Sequence, residues 1–514
     1  MKRALGVVVS SLLFCLFSFF TFSTPSFAAS LSVPRTLRVD YYHTGNSHDE
    51  WFSLDRVVLE PLEWPGNLSK SIDESQLGEY LFEVRERDSG KLVYSRGFNS
   101  VFGEWKTTEE ALHGNRTFSE SLRFPSPEGP VEVSLKERTG SGSREDGAGG
   151  ATGVPSTSSG QALARPEGTV GRAGTPVAPP AWKEVWKTVV DPKDKFVDRS
   201  RPPSPGALVE LQKMGDPATK VDLLVLGDGY TAAERPKFER DARRFMEAVF
   251  SASPFSEHRK DFNVWGLCPA AEESGVSRPS SGIYRRSPVG ASYDTFGTER
   301  YVLTTENQAL RDLASFAPYE FIEILVNGQT YGGGGIFNQY ATVAIDNLWA
   351  GYVGVHEFGH HFAGLADEYY TSDVAYLPPE KKTEPWEPNV TALLDPANLK
   401  WKDLVAAGTP VPTPWDKEEF DRFERDIQRQ RRELRAAGKP EAEMDELFRK
   451  EREKEDAMLG SQKFAGKVGA FEGANYEAKG YYRPEVDCIM FTRHKTFCAV
   501  CRRAIERVIG MYAG

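Results

Sequence analysis

The segment that most constrains the fold is residues 355–370, which contains the only HExxH motif of the 514-residue chain. On a helix, residues four apart lie on one face, so His356 and His360 can present two imidazole nitrogens to one cation. Glu357 then lies beside the cation, where a general base takes a proton from a water that zinc has made acidic. Residues 348–355 are apolar, which favours a helix whose back is buried in a core. The spacing therefore predicts a zinc-binding helix.

A third metal ligand is needed, and helix geometry limits the choice. If the helix continued, Asp367 would return to the metal-binding face about 10 Å further along the axis, at roughly 1.5 Å per residue, which is too far to bind. Gly364 can instead end the helix in a left-handed conformation and turn the chain back. We therefore favour Asp367 as the third ligand and keep Glu368 as the alternative, since carboxylates are ready zinc ligands. His361 points about 100° away from His360 and is predicted to pack or to support the site from outside.

This motif and four other segments resemble one known family. Residues 356–370 read HEFGHHFAGLADEYY, which is similar to the active-site signature of the IgA-peptidase family of bacterial zinc metalloendopeptidases, relatives of the metzincins. The other segments that resemble this family are residues 38–45, 94–98, 103–105 and 412–415. The resemblance covers most of the mature chain and implies a zinc peptidase with a metzincin-like upper subdomain.

Two departures from the usual metzincin motif concern the third ligand. The gap before Gly364 is one residue longer, and an acid stands in place of the third histidine. Met490 looks like the methionine of a Met-turn, the apolar floor beneath the zinc site, and a plain core methionine is the alternative. The candidates for stabilising the oxyanion of a tetrahedral intermediate are Tyr369, Tyr370, Tyr482 and Arg493.

Residues 1–28 have the pattern of a secretory signal peptide. A basic pair precedes an apolar run over residues 4–22, and residues 26–28 form a small-residue cleavage site. A stop-transfer anchor is the alternative, but the helix-breaking Pro25 and the cleavage site argue against it. No other segment is long and apolar enough to span a bilayer. We therefore expect a secreted or periplasmic protein that is not inserted in a membrane after cleavage.

The charge balance excludes two classes of partner. The chain has 63 basic and 74 acidic side chains, a net charge of −11. Loss of Lys2 and Arg3 with the signal peptide leaves 61 basic against 74 acidic side chains, a net charge of −13. An acidic protein of this kind gives no reason to expect nucleic acid or an anionic membrane as a partner.

The N-terminal half divides by composition into a folded region and a linker. Residues 31–138 show short alternating strands separated by turn formers, which predicts an antiparallel β-sandwich. Its tryptophans Trp51, Trp64 and Trp105 are interpreted as core residues, with a substrate- or glycan-binding role as the alternative. Residues 139–180 are rich in Gly, Ser, Ala, Pro and Thr, which predicts a flexible linker between independent domains.

Residues 206–514 are predicted to form an α/β metallopeptidase domain. Strands alternate with helices in the order β-α-β-α-β-β-α up to the zinc helix, which suits a mixed sheet. The glycines at 332–335 lack the following Lys-Ser/Thr of a phosphate-binding loop, and we interpret them as a mobile rim of the cleft. Residues 340–345 would then be an edge strand able to pair with an extended peptide. Residues 416–459 predict a charged helical hairpin, interpreted as a solvated insertion, with a partner-binding arm as the alternative.

Four cysteines remain once Cys15 leaves with the signal peptide. In an oxidising compartment an even number favours disulfides, for which there are three pairings. The alternative is a structural zinc site made by all four residues. The four are Cys268, Cys488, Cys498 and Cys501.

Together these features predict a secreted zinc endopeptidase. His356, His360 and Asp367 would hold Zn²⁺, and Glu357 would take the proton from the attacking water and pass it to the leaving amine. The expected partner is a protein or peptide substrate, with host or cell-surface proteins included. The alternatives are a catalytically silent exported binding or adhesin protein, and a zinc hydrolase that acts on cell-wall peptide.

Overall fold

The computed structural model describes residues 33–139, 182–372, 374–378 and 381–514. The expected signal peptide, and all but the first residue of the expected linker, lie outside these residues. The described residues between Pro34 and Gly514 belong to one compact unit. Among the described residues, no helix combines the length and apolar character needed to cross a membrane.

The regular elements follow in chain order. The strands are β1 (Arg35–Gly45), β2 (Glu50–Glu63), β3 (Tyr80–Glu86), β4 (Leu92–Phe98), β5 (Arg116–Pro125), β6 (Val131–Arg138), β7 (Trp182–Val190), β8 (Val209–Gln212), β9 (Val221–Asp228), β10 (Phe262–Leu267), β11 (Phe321–Val326), β12 (Gly333–Ile336), β13 (Tyr340–Ala344), β14 (Phe471–Ala474) and β15 (Glu477–Arg483). The helices are α1 (Val101–Trp105), α2 (Arg235–Ser251), α3 (Asn307–Ala314), α4 (Ala350–Ala363), α5 (Lys417–Ala436), α6 (Glu441–Gly460) and α7 (Ala499–Tyr512).

The N-terminal domain contains two antiparallel sheets, in the strand orders β2-β1-β5 and β4-β3-β6-β7. The alternate residues of β1, β3 and β6 that the sequence pattern identifies as buried form one core between the sheets. Trp64 and Trp105 are buried as expected, but Trp51 is 47% exposed, so its assignment to the core is wrong. It stands on the outer face of β2, most of whose side chains are only partly covered. The strand β7 was not predicted. It follows the expected linker along the chain and pairs with β6, and only its last residue, Val190, is buried.

The C-terminal domain is built on a six-stranded mixed sheet with the order β12-β13-β11-β9-β10-β8. The predicted strands and helices occur in the predicted order, and their strands β10, β9, β11 and β13 run parallel. The sheet also contains two short strands that were not predicted, β8 and β12, which are antiparallel to their neighbours. The prediction of residues 340–345 as an edge strand is wrong, because β13 lies between β11 and β12. The glycine run itself forms the edge strand β12. Without side chains, its backbone can lie directly against α4.

The two domains share a core, contrary to the independence that the linker predicts. Phe102, Trp105 and Phe118 of the N-terminal domain belong to one buried cluster with Leu224 and Ile322 of the central sheet. Charged contacts join the domains as well. Arg38 and Arg56 both pair with Asp312 of α3, at 2.5 Å and 3.0 Å. Removal of either domain would therefore expose apolar surface of the other.

The charged segment predicted as a helical hairpin forms α5 and α6. Each helix buries one apolar stripe, with Phe420 and Ile427 on α5 and Leu447 and Phe448 on α6. The chain turns between them at Gly438, whose φ is 58°. The interpretation of this hairpin as an insertion stays a prediction.

Candidate metal centre

Helix α4 carries the HExxH motif and lies against β12, β13 and α2. Phe358 and Phe362 are fully buried on its inner side. The helix ends at Gly364, whose φ of 60° and ψ of 38° are left-handed, as the sequence predicts. The Gly364 N–H donates to His360 O at 3.0 Å and closes this cap. From this turn the chain folds back and brings Asp367 to the histidines.

His356, His360 and Asp367 converge on one point. The two Nε2 atoms are 3.1 Å apart, and Oδ1 of Asp367 lies 2.9 Å from Nε2 of His356 and 3.3 Å from Nε2 of His360. Ligands held about 2.0–2.1 Å from a tetrahedral zinc ion are separated by roughly 3.3 Å, so these distances suit one metal ion. The donor set of two imidazoles and one carboxylate fits zinc and leaves a coordination position open.

Each of these three side chains is oriented by a partner on its far side. The Nδ1 atoms of His356 and His360 donate to the carbonyls of Ile489 and Leu365 at 3.0 Å and 2.5 Å, which turns both Nε2 atoms towards Asp367. Tyr476 donates its hydroxyl to Oδ2 of Asp367 at 2.5 Å. Partners of this kind fix the tautomer and ring orientation of metal-binding residues.

The electrostatics of the three residues favour a cation. Burial alone would raise the pKa of Asp367, but the charge of His360 and hydrogen bonds from both histidines hold it well below its usual range. Burial would also lower the pKa of His360, whereas the Asp367 carboxylate raises it to about 10. The site thus retains positive charge that a metal ion can replace, since metal and proton compete for the same lone pairs.

Glu357 lines the cleft beside these residues. Burial raises its pKa, and the charges of His356 and His360 partly oppose that effect. Below the helix, Met490 is fully buried, and a Cβ built on Gly359 would lie only 3.2 Å from its sulfur. Met490 thus packs against the turn of α4 that separates the two histidines.

The cleft that contains these residues has a volume of about 1390 Å³. Its lining comes from both domains and includes Glu104 as well as Tyr369. Tyr369 accepts a hydrogen bond from Nη2 of Arg300 at 3.3 Å, and its ring stacks with that of His356 at 6.3 Å. The carboxyl of Glu104 is desolvated, which raises its pKa to about 7.

Only one of the four oxyanion candidates lines the cleft, and it is Tyr369. The hydroxyl of Tyr370 donates instead to Asp421 at 2.7 Å, and Arg493 pairs with Glu451 at 2.7 Å. Tyr482 pairs through its backbone with Thr391. These three lie outside the residues that form the cleft.

Arg300 and Tyr476 are cleft residues that sequence analysis missed. They lie in a loop and a hairpin turn far from the motif along the chain, so no spacing rule connects them to it. Glu104 lies within residues 103–105, one of the segments that carry the family resemblance, and that signal could have identified it.

His361 and Glu368 point away from the proposed metal position. His361 bonds to the backbone of two strands, at Ile322 N and Ile336 O, which agrees with its predicted packing role. Glu368 is fully buried with its carboxylate among three cysteines. The expected disulfides are absent from the described residues, where all four cysteines are free.

Two family models match the chain. A family model described as IgA Peptidase M64 matches residues 209–509. A second model, described as Peptidase M64 N-terminus, matches residues 28–146. No curated protein matches the chain.

Proposed function

The chain belongs to the IgA peptidase M64 family and is a metallopeptidase, and from that premise we propose that it is a secreted zinc endopeptidase that cleaves protein substrates. The observation that carries the proposal is the convergence of His356, His360 and Asp367 with Glu357 beside them in one cleft. Three protein ligands with an open position are typical of catalytic zinc sites.

In this proposal Glu357 carries the proton transfers. His356, His360 and Asp367 would hold the zinc ion, which would supply the Lewis acidity that makes water acidic and polarises a carbonyl. Glu357 takes the proton of the attacking water and later gives it to the leaving amine. Burial raises the pKa of Glu357, which makes its carboxylate a stronger base for the first of these transfers.

Tyr369 is the residue we assign to the developing oxyanion. Its hydroxyl is oriented by Arg300 and faces the same cleft as Glu357. A donor fixed in this way before the reaction stabilises negative charge without the cost of reorganising solvent. Met490 fits the role of a Met-turn residue, because it forms the apolar floor under α4.

The test compares residues 29–514 with the Glu357→Ala variant, for zinc content and for hydrolysis of a mixed protein digest library. We expect equal zinc in both proteins and cleavage in the unmodified one alone. If the His356→Ala/His360→Ala variant binds as much zinc as the unmodified protein, the metal assignment is wrong. Zinc without protein cleavage would favour a silent binding protein, or a cell-wall hydrolase if peptidoglycan peptides are cleaved.

A further inference from the structure

A second group of metal-binding side chains lies behind the loop that carries Asp367. The Sγ atoms of Cys488, Cys498 and Cys501 and the carboxylate of Glu368 all lie within 4.8 Å of one another. All four residues are buried, and each is at most 3% exposed. The cluster is separate from the group formed by His356, His360 and Asp367, and its thiols take no part in the proposed peptidase mechanism.

The distances within the cluster suit a metal ion and not a disulfide. The Sγ atoms of Cys488 and Cys501 are 3.9 Å apart, whereas a disulfide bond measures about 2.05 Å. Zinc–sulfur bonds of about 2.3 Å in a tetrahedral site place two sulfurs roughly 3.8 Å apart. Sγ of Cys501 lies 3.4 Å from Oε1 of Glu368, close to the roughly 3.5 Å expected of a sulfur and an oxygen on one zinc ion.

Glu368 gives an independent indication that this cluster binds a cation. Its side chain is completely buried, and Asn389 donates to Oε1 at 2.9 Å. Within the part of the chain that the structure describes, Oε2 meets no hydrogen-bond donor. A buried carboxylate oxygen without a donor is costly, and a cation bound by the carboxylate removes that cost.

The backbone around the cysteines stabilises sulfur in its anionic form. The N–H of Cys498 donates to Sγ of Cys488 at 3.2 Å, and the N–H of Cys501 donates to Sγ of Cys498 at 3.4 Å. Cys498 also caps the N-terminus of the 14-residue helix α7, where the helix dipole favours negative charge. Thiolate is the form of cysteine that binds metal.

We propose that Cys488, Cys498, Cys501 and Glu368 hold a structural zinc ion, distinct from the catalytic one. Four protein ligands and no opening to solvent are the features of a structural site. Cys268 takes no part, because it follows β10 and lies beside Gly227 and Phe238. The fourth ligand is therefore Glu368, and not Cys268 as in the four-cysteine alternative.

This ion would support the catalytic centre from behind. Glu368 is the chain neighbour of Asp367, and its N–H donates to Met490 O at 2.8 Å. Cys488 precedes Ile489, whose carbonyl accepts the hydrogen bond from His356. One ion would thus fix the two loops that orient two of the three catalytic ligands.

The test is metal analysis of the full chain, purified without added metal. We expect two zinc ions per chain in the unmodified protein and one each in Cys498→Ser/Cys501→Ser and His356→Ala/His360→Ala. The matched control Cys268→Ser keeps both ions. Because each pair of substitutions removes one ion, failure of this proposal and failure of the catalytic assignment give different results.

Cobalt substitution of the unmodified protein tests whether the cysteines bind metal, and it does not depend on the cysteine variant being folded. We expect a thiolate-to-cobalt charge-transfer absorption that His356→Ala/His360→Ala retains and Glu368→Gln shifts. Absence of that absorption in the unmodified protein would overturn the proposal. A single zinc ion per chain that is lost with His356 and His360, or a disulfide among the three cysteines found by alkylation and mass spectrometry, would overturn it as well.

Discussion

The phenol of Tyr476 donates a 2.5 Å hydrogen bond to Oδ2 of Asp367, the carboxylate oxygen that faces away from the two histidines. Loss of this bond in Tyr476→Phe leaves the carboxylate free to rotate and takes away one of its donors. Substitutions of such outer partners cost about 10–100-fold in metal affinity or activity. We expect a fall of that size in zinc affinity, measured by competition with a chromogenic chelator.

Tyr482→Phe is the control for this measurement. Tyr482 lies on the same hairpin, but outside the cleft lining. Its variant is expected to bind zinc as tightly as the unmodified protein. Equal losses in the two variants would show that the hairpin as a whole, and not the phenol on Asp367, determines affinity.

Tyr369→Phe tests the assignment of the oxyanion donor. Removal of one such donor costs about 10²–10³-fold in kcat, because the bond is strongest in the transition state. We expect kcat to fall by that factor with KM nearly unchanged, in steady-state assays on a peptide substrate. Tyr370→Phe is the matched control, since its hydroxyl binds Asp421 outside the cleft. A fall in both variants, or an effect on KM alone, would contradict the assignment.

The residues that sequence reasoning finds are those that act within one local element. His356, Glu357 and His360 follow from helix periodicity, and the turn at Gly364 follows from its freedom to adopt a positive φ. The four parallel strands of the central sheet follow from the sequence because buried parallel strands read as continuous apolar runs, whereas the short antiparallel strands β8 and β12 do not. Local periodicity thus predicts the helix and the sheet beneath it.

What the sequence does not reveal depends on contacts between distant segments. Tyr476 and Arg300 reach the cleft from loops whose path only tertiary packing determines. Disulfides were predicted from the oxidising compartment and the even number of cysteines, and neither indicates which thiols lie close together. In the fold, Cys268 is separate from the cluster of the other three cysteines. The shared core of the two domains was hidden as well, because a linker's composition carries no information on what packs across it.

Gly335→Ala tests the close contact between the edge strand β12 and α4. A Cβ on Gly335 would lie 2.3 Å from the carbonyl oxygen of Glu357 and 3.0 Å from Cβ of His360. Because the nearest atom is backbone, the helix must shift, and overpacking of this kind costs about 1–3 kcal/mol. We expect a lower melting temperature and weaker zinc binding. Gly114→Ala is the control, since a Cβ there meets nothing within 4 Å, and an equal loss in it would contradict the explanation.

Trp105→Ala tests the shared core. Trp105 is fully buried in the cluster that joins α1 to the central sheet. Its removal should lower the free energy of unfolding by about 3–5 kcal/mol, measured by urea denaturation. Trp51→Ala, at a position that is 47% exposed, should change it by about 0.5 kcal/mol or less.

The shared core also predicts the behaviour of the C-terminal domain alone. Because its apolar surface would be uncovered, we expect residues 206–514 expressed alone to aggregate. A soluble and active fragment would show that the shared core is dispensable.

Glu424→Gln tests the pH dependence that the hairpin imposes. Glu424 of α5 is buried and faces Glu451 and Glu455 of α6, with Arg431 and Arg493 as the nearby cations. Burial, followed by the charge of Glu451, raises the pKa of Glu424 from 4.5 to about 8. A carboxyl with a raised pKa favours the fold while it is protonated. Its contribution is complete below pH 4.5 and is lost as the pH rises from there towards about 8.

The glutamine variant stays neutral, so its advantage over the unmodified protein must grow with pH. We expect the difference in melting temperature between Glu424→Gln and the unmodified protein to increase in the stabilising direction from about pH 5 to about pH 8.5. Glu433→Gln, on the same helix and 68% exposed, should show a difference that does not change with pH. A difference for Glu424→Gln that is equally constant would mean that Arg431 and Arg493 already stabilise the ionised carboxylate across this range.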